Sequence, residues 1–315
     1  MIEAARIGAG SSGGHVGALA PHAPDNWNPK KAFQLDSLLM ADAFWAGVEA
    51  VGEKPSGYGR CGRVQPVADA DTAERLQARI DQSQTRWPEA MWMRLTKAPQ
   101  AALLPESPSG LWLWDGLTAR LNPRLALAAL AAAITAKGGT ISHEHATPDT
   151  LTDPVIWATG TPGLQMLGQD LDRYIGQGVK GQSALLRLAL PDTPQVFADG
   201  IHIVPHADGT VAIGSTSEND YADLDTDMQL DDLIARARAI CPALREAPVI
   251  DRWAGERPRA RSRAPLLGKW PGRDGHYVAN GGFKIGFGMA PKIATLMADL
   301  ILDGRDAIPE GFRLS

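Results

Sequence analysis

Three stretches of this 315-residue chain place residue types capable of chemistry at informative spacings. The first is Gly8-Ala-Gly10-Ser-Ser-Gly13, which matches the dinucleotide fingerprint G-x-G-x-x-G. That fingerprint works when a buried strand feeds a tight glycine turn and a helix starts beyond it, so that amide N–H groups face a pyrophosphate. Here Met1 to Ile7 is short and mixed for a central strand, and Gly14, Gly17 and Pro21 follow where a helix is needed, so the stretch reads as a loop. The second runs from Asn280 to Pro291: the end of a strand, a turn holding Gly281, Gly282, Gly286 and Gly288, and a proline read as the first position of an amphipathic helix. This order aims free N–H groups and the positive helix end at an anionic centre, and its glycines give up backbone entropy that a plain helix cap does not require. The third, Trp253 to Gly268, carries Arg257, whose planar fork of donors suits bidentate recognition of a carboxylate and stays charged at any working pH. Lys284, in the second stretch, is a point charge, either near the same site or solvated in its loop.

Other chemistry is less marked. His15, His22, His202 and His206 have no metal-like partner at short range and read as core or surface histidines, although His15 directly follows Gly13-Gly14. Trp112, Trp114 and Trp253 are pocket walls or core residues. Cys61 and Cys241 match no redox or zinc spacing, which predicts a reduced, cytoplasmic setting. The composition, 44% hydrophobic and 21% charged with a formal charge of −5, predicts a globular protein without an overall basic field for nucleic acid. No apolar run reaches the ~18 residues of a membrane span, and the N-terminus lacks a signal pattern.

The elements that must position these residues alternate in character. Asn28-Pro29 opens a helix over about 29–51, and Asn122-Pro123 opens another that ends at Gly138-Gly139. Between them lie β-type stretches at 62–67, 92–95 and 111–114 around a helical segment near 71–85. Val155-Ile-Trp157 reads as a short buried strand running into the small-residue turn Ala158-Thr159-Gly160. Strands follow at 183–188, 201–204 and 210–214, the last two joined through Asp208-Gly209, then a helix over about 228–240 and the strand Tyr277 to Asn280.

Glu3-Ala-Ala-Arg6-Ile-Gly-Ala-Gly10-Ser11-Ser12-Gly13-Gly14 resembles the second flavin loop of the D-amino-acid-oxidase-like flavoenzymes, in which an acidic residue that holds a ribose precedes a Gly/Ser/Ala-rich loop. The stretches 253–268 and 280–288 are similar to that family's substrate-arginine segment and flavin turn. The resemblance implies an α/β (α+β) chain with a discontinuous, Rossmann-like FAD-binding domain (1–52, 119–170 and 264–315) and an inserted antiparallel β-sheet substrate domain (53–118 and 171–263). It implies FAD as cofactor, contacted by Glu3, Arg6, Ser11, Ser12, Gly13, Gly14, His15, Thr159, Gly160, Gly282, Gly286, Phe287, Gly288 and Met289. It places Arg257 on the substrate carboxylate and Lys284 near the substrate. The implied reaction is oxidation of the C–N bond of an amino acid or secondary amine, with dioxygen or another electron acceptor. The resemblance also implies that the chain starts about thirty residues late, without the phosphate turn and its strand and helix. On that reading it is N-terminally truncated, binds FAD weakly or not at all, and is aggregation-prone. Two alternatives stand beside this. Gly13 to Pro21 also resembles a loop of the flavin domain of the bacterial bifunctional tRNA-wobble-uridine modifying enzyme, with Arg252, Arg257, Arg259, Arg261, Arg263, Lys269 and Arg273 as phosphate contacts. The other is a truncated paralogue that folds without cofactor or activity.

Overall fold

The computed structural model describes every residue except Ala98, Thr152, Asp153, Pro191 and Ser315. The chain opens with a short strand β1 (Ile2–Glu3), a loop containing a 3-10 turn at Ser11–Gly13, and a second short strand β2 (Ala18–Leu19). No helix follows Gly8 to Gly13, in keeping with the loop expected from its context. Helix α1 (Pro29–Gly52) starts where Asn28 accepts a hydrogen bond from the Lys31 N–H and Pro29 takes the first turn. Next come β3 (Arg63–Pro66), α2 (Ala70–Arg86), β4 (Met93–Thr96), β5 (Trp112–Asp115) and β6 (Ala119–Arg120). Asn122 caps α3 (Pro123–Ala136) through the N–H groups of Arg124 and Leu125. The chain then forms β7 (Ser142–His143), β8 (Val155–Trp157) and α4 (Gly160–Asp170), and the long strand β9 (Gly176–Arg187) with β10 (Gln195–Ala198), β11 (Ile201–Pro205) and β12 (Thr210–Gly214). Asp227 caps α5 (Met228–Ile240), and β13 (Val249–Ala260), β14 (Leu266–Lys269), β15 (His276–Asn280) and α6 (Gly286–Leu302) complete the chain.

An eight-stranded sheet in the order β13-β9-β12-β11-β10-β3-β5-β4 joins the two middle portions of the sequence, antiparallel except where β10 runs parallel to β3. Side chains alternate between its two faces, apart from a register shift in β13 between Val249 and Asp251. One face buries Ala184, Leu186, Val196, Ile203, Val211 and Ile213 against Leu230, Leu233, Ile234 and Ala237 of α5. The register therefore turns Arg63, Gln195, His202, Ser183, Trp253 and Arg257 to the opposite face. The remaining sheets are small: β14-β15-β8, with β15 and β8 parallel, the parallel pair β1-β7, and the antiparallel pair β2-β6.

Four sequence expectations need correction. The strand expected at 183–188 begins at Gly176, because its glycine-rich first half, unfavourable by propensity, is matched to side chains of β13 lying across it. The arginine-rich 249–260 segment is a long edge strand; its charges are those that sheet edges tolerate. The final helix starts at Gly286, so Pro291 lies inside it, and the next amide, Lys292 N–H, donates to Ser37 Oγ of α1. Finally, the strand expected to be buried at 155–157 buries Trp157 but leaves Ile156 46% exposed, because successive side chains point to opposite faces and only the Trp157 face is covered by the core.

Candidate active site

The loops that concern chemistry follow the carboxyl ends of parallel strands β1, β8 and β15, where open α/β sheets place their ligands. Helices α1, α2, α3 and α5 have their first amides capped by a side chain. The two that start beyond β8 and β15, α4 and α6, have no side-chain cap. A Cβ added at Gly160 or Gly286 would meet nothing within 4 Å, so open space lies before both helix starts. Thr161 Oγ1, buried in the first turn of α4, has no partner. Free amides, an orphaned hydroxyl and open space suit an anionic or strongly polar cofactor. Asn280 ties the two loops together, donating from Nδ2 to Gly160 O at 2.8 Å.

Strand β13 runs past both glycine-rich segments. Near its start the Trp253 ring lies over Gly14, where a Cβ would stand 3.1 Å from the indole. The neighbouring His15 is buried, with Nδ1 3.1 Å from Ser183 Oγ and Nε2 3.1 Å from Asp251 Oδ2. Burial lowers the pKa of His15 despite the opposing pull of Asp251, so the ring is neutral. The arrangement that satisfies all three groups has Nε2–H donating to Asp251 and the Ser183 hydroxyl donating to Nδ1. Arg124 completes the tie, donating to Asp251 Oδ2 at 2.6 Å and to Gly13 O at 3.0 Å. His15 thus fastens the first loop to the large sheet with both ring nitrogens engaged.

Further along β13, the Phe283 N–H donates to Pro258 O at 3.1 Å, and Arg259 forms a β-bridge with Gly282. Arg257 is 8% exposed, and its guanidinium lies flat over Gly181, where any Cβ would overlap it. Nη1 donates to Ser215 Oγ at 2.6 Å and Nη2 to Thr216 O at 2.6 Å and Lys180 O at 3.3 Å, while Nε has no partner among the described residues. Burial lowers its pKa to about 10, leaving it charged at neutral pH. His202, on the same face of the sheet, packs tilted against Phe197 with ring centres 4.6 Å apart and has a buried Nδ1 without a partner among the described residues. Burial, then the charges of Arg63 and Lys284, push its pKa down to about 3. Its signal in the sequence is the single polar residue of Ile201-His202-Ile203, which period-2 alternation sets apart from the core.

The other residues singled out from the sequence fall as follows. Glu3 is half-buried and accepts from the Ala5 N–H at 3.1 Å; Arg6 and Ser12 are exposed, Ser11 is half-buried, and Gly13 and Gly14 are buried. Thr159 is exposed beside half-buried Gly160, and Gly282, Gly286 and Phe287 are half-buried. Gly288 and Met289 are buried, the latter with its side chain in the core between α6 and Phe33. Lys284 is exposed overall, yet desolvation at its ammonium end, then the charges of Arg257 and Arg259, lower its pKa. Trp112 and Trp114 sit on β5, near the far edge of the large sheet from β13. The basic run does not form one free patch, since Arg252 pairs with Asp231, Arg273 pairs with Asp149 and Asp170, and Arg257 is buried.

Residues 1–300 match the family model described as DAO, FAD dependent oxidoreductase. The chain belongs to this family. This DAO-family chain is 36% identical over 132 residues to glycine oxidase of Pseudomonas aeruginosa, a match covering 41% of this chain and 36% of that protein. The match therefore spans well under half the length of that curated relative. The fold is similar to that of glycine oxidase from Geobacillus kaustophilus, with a TM-score of 0.85 and 22% identity over 100% of this chain and 90% of the other. It is also similar to iminodiacetate oxidase from Chelativorans sp. BNC1, with a TM-score of 0.83 and 22% identity over 99% and 91% of the two chains. Among the described residues of the DAO-family chain, no His/Cys/Asp/Glu group could hold a metal ion and no helix is long and apolar enough to cross a membrane.

Gly181→Ala tests how the site is built. The added methyl meets the far end of a flexible side chain, so the guanidinium of Arg257 swings away from Ser215 and Thr216 while the strand stays in register. The expected result is unchanged far-UV circular dichroism with kcat/KM for a carboxylate-bearing amine lowered about tenfold or more.

Proposed function

We propose that the chain oxidises the C–N bond of a small amine that carries a carboxylate, by hydride transfer to FAD. The observation that carries this reading is the buried Arg257, fixed on the polar face of the large sheet beside Phe283, the residue that leads into the uncapped start of α6. Membership of an FAD-dependent oxidoreductase family and the names of its relatives, glycine oxidase and iminodiacetate oxidase, support it.

When bound, FAD accepts the hydride that leaves the substrate carbon as the imine forms. Residues 1–52, 119–170 and 264–315 hold it in this proposal, and residues 53–118 and 171–263 cover the substrate. Glu3 would hold the ribose; Arg6, Ser11, Ser12, Gly13 and Gly14 would supply the first loop, which His15 positions. Thr159 and Gly160 line the uncapped start of α4. Amides of Gly282, Gly286, Phe287 and Gly288 lie at the start of α6, where the positive helix end would favour negative charge on the reduced ring, whereas the Met289 N–H expected to join them is taken by Ile285 O at 3.1 Å. Arg257 orients the substrate by its carboxylate. The cations around Arg257 would favour the neutral amine that oxidation requires.

The test is anaerobic mixing of the FAD-loaded chain with glycine, sarcosine, iminodiacetate and a panel of larger amino acids that includes aspartate and glutamate of both hands. Loss of absorbance near 450 nm with at least one of them is expected. A flavin that stays oxidised with every member of the panel overturns the reading.

A further inference from the structure

The cations near Arg257 outnumber what one carboxylate would neutralise. Three side chains surround the ring of Phe283: Lys284 Nζ at 5.5 Å, Arg257 Cζ at 5.6 Å and Arg259 Cζ at 5.8 Å from its centre. Arg259 is half-buried, and among the described residues neither it, Lys284 nor Arg257 has a carboxylate within ion-pair distance. Glu218 acts on Arg257 from a longer range, but its carboxylate is already bound by Gln182 at 3.0 Å, by the Thr216 hydroxyl and by the buried Lys180 at 3.7 Å. Desolvation first, and then the charges of Arg257 and Arg259, lower the pKa of Lys284. Three like charges around one apolar ring are unfavourable until an anion joins them, and a ring face offers only a weak counterweight.

Resting on the function proposed above, we propose that the substrate carries two carboxylates, one held by Arg257 and the second seated between Arg259 and Lys284. An amine bearing a carboxylate on each side of the nitrogen, or an amino acid with an acidic side chain, has this charge. Arg259 and Lys284 are then specificity-determining residues, while Arg257 serves any carboxylate-bearing substrate.

Ligands without an oxidisable amine separate this inference from the catalytic one. Diglycolate and methoxyacetate share an ether oxygen in place of nitrogen and one carboxymethyl arm, and differ by the second carboxylate. Calorimetric titration of the FAD-loaded chain is expected to give diglycolate a Kd about tenfold or more below that of methoxyacetate. Arg259→Gln should erase that difference and leave methoxyacetate within twofold, whereas Arg257→Leu should weaken both. Equal affinity for the two ligands in the unaltered chain overturns the inference, as does an Arg259→Gln variant that loses both ligands to the same degree. Neither result depends on turnover, so a chain that bound diglycolate selectively yet left its flavin oxidised with every amine would refute the proposed reaction and not the second anion seat.

Discussion

Arg257→Leu is expected to lower kcat/KM for carboxylate-bearing amines by about 30- to 1000-fold, the loss that corresponds to ~2–4 kcal/mol of charge-assisted contact. The size of the effect follows from the setting. The guanidinium is buried, held by Ser215 and Thr216, and packed flat on Gly181, so little ordering remains to be done when the substrate arrives. Leucine keeps much of the apolar stem and removes the fork, and Arg257→Lys restores charge without planar geometry, so it should recover part of the loss. Steady-state kinetics on the flavin-loaded variants would decide it. Unchanged kcat/KM across the amine panel would remove Arg257 from the site.

The second large effect concerns acid stability. His206 is 1% exposed, with Nδ1 3.2 Å from Thr210 Oγ1 and no partner for Nε2. Burial pushes its pKa to about 4, and that of His202 to about 3, against 6.5 for an unfolded histidine. The unfolded chain therefore takes up protons that the folded chain refuses as the pH falls from 6.5. The stability these groups contribute is fully present above pH 6.5 and is lost progressively toward their folded values. For His206 alone the full loss is about 3 kcal/mol. Urea unfolding between pH 7.5 and 4.5 should show a falling midpoint over a range in which most carboxylates stay ionised, and His206→Gln should flatten the slope. A midpoint independent of pH in that window would mean that these rings are protonated in the fold.

What was legible in the sequence was whatever local chemistry dictates by itself. Asn28-Pro29 and Asn122-Pro123 marked two helix starts because cap and first turn lie within two residues, and Asp208-Gly209 marked the hairpin of β11 and β12. The glycine turn before α6 was legible for the same reason, although Pro291 misplaced the start of the helix. What escaped was decided at long range. The first half of β9 and all of β13 became strands because they pair with each other over twelve-residue lengths. His202 joined the polar face only once the sheet register was fixed. Arg257 was proposed from its residue type and the family resemblance of its stretch, but Gly181 beneath it, 76 positions earlier, could not be connected to it without the fold.

That pairing sets a limit on how this protein can be improved. Replacing strand glycines by β-branched residues is an ordinary route to a more robust sheet, since glycine in a strand is entropically unfavourable by ~0.5–1 kcal/mol. In β9 each glycine lies under an atom of β13 that a side chain would have to move. A side chain at Gly178 would displace Glu256, one at Gly181 would evict Arg257, and one at Gly176 would run into the backbone at Arg259. A library selected for thermal tolerance alone would accept a substitution at 181 wherever the arginine can swing clear, and would return well-folded molecules that, on the role proposed for Arg257, no longer grip their substrate. Selection on this strand has to be made on turnover and melting temperature together, because at position 181 the two objectives pull in opposite directions.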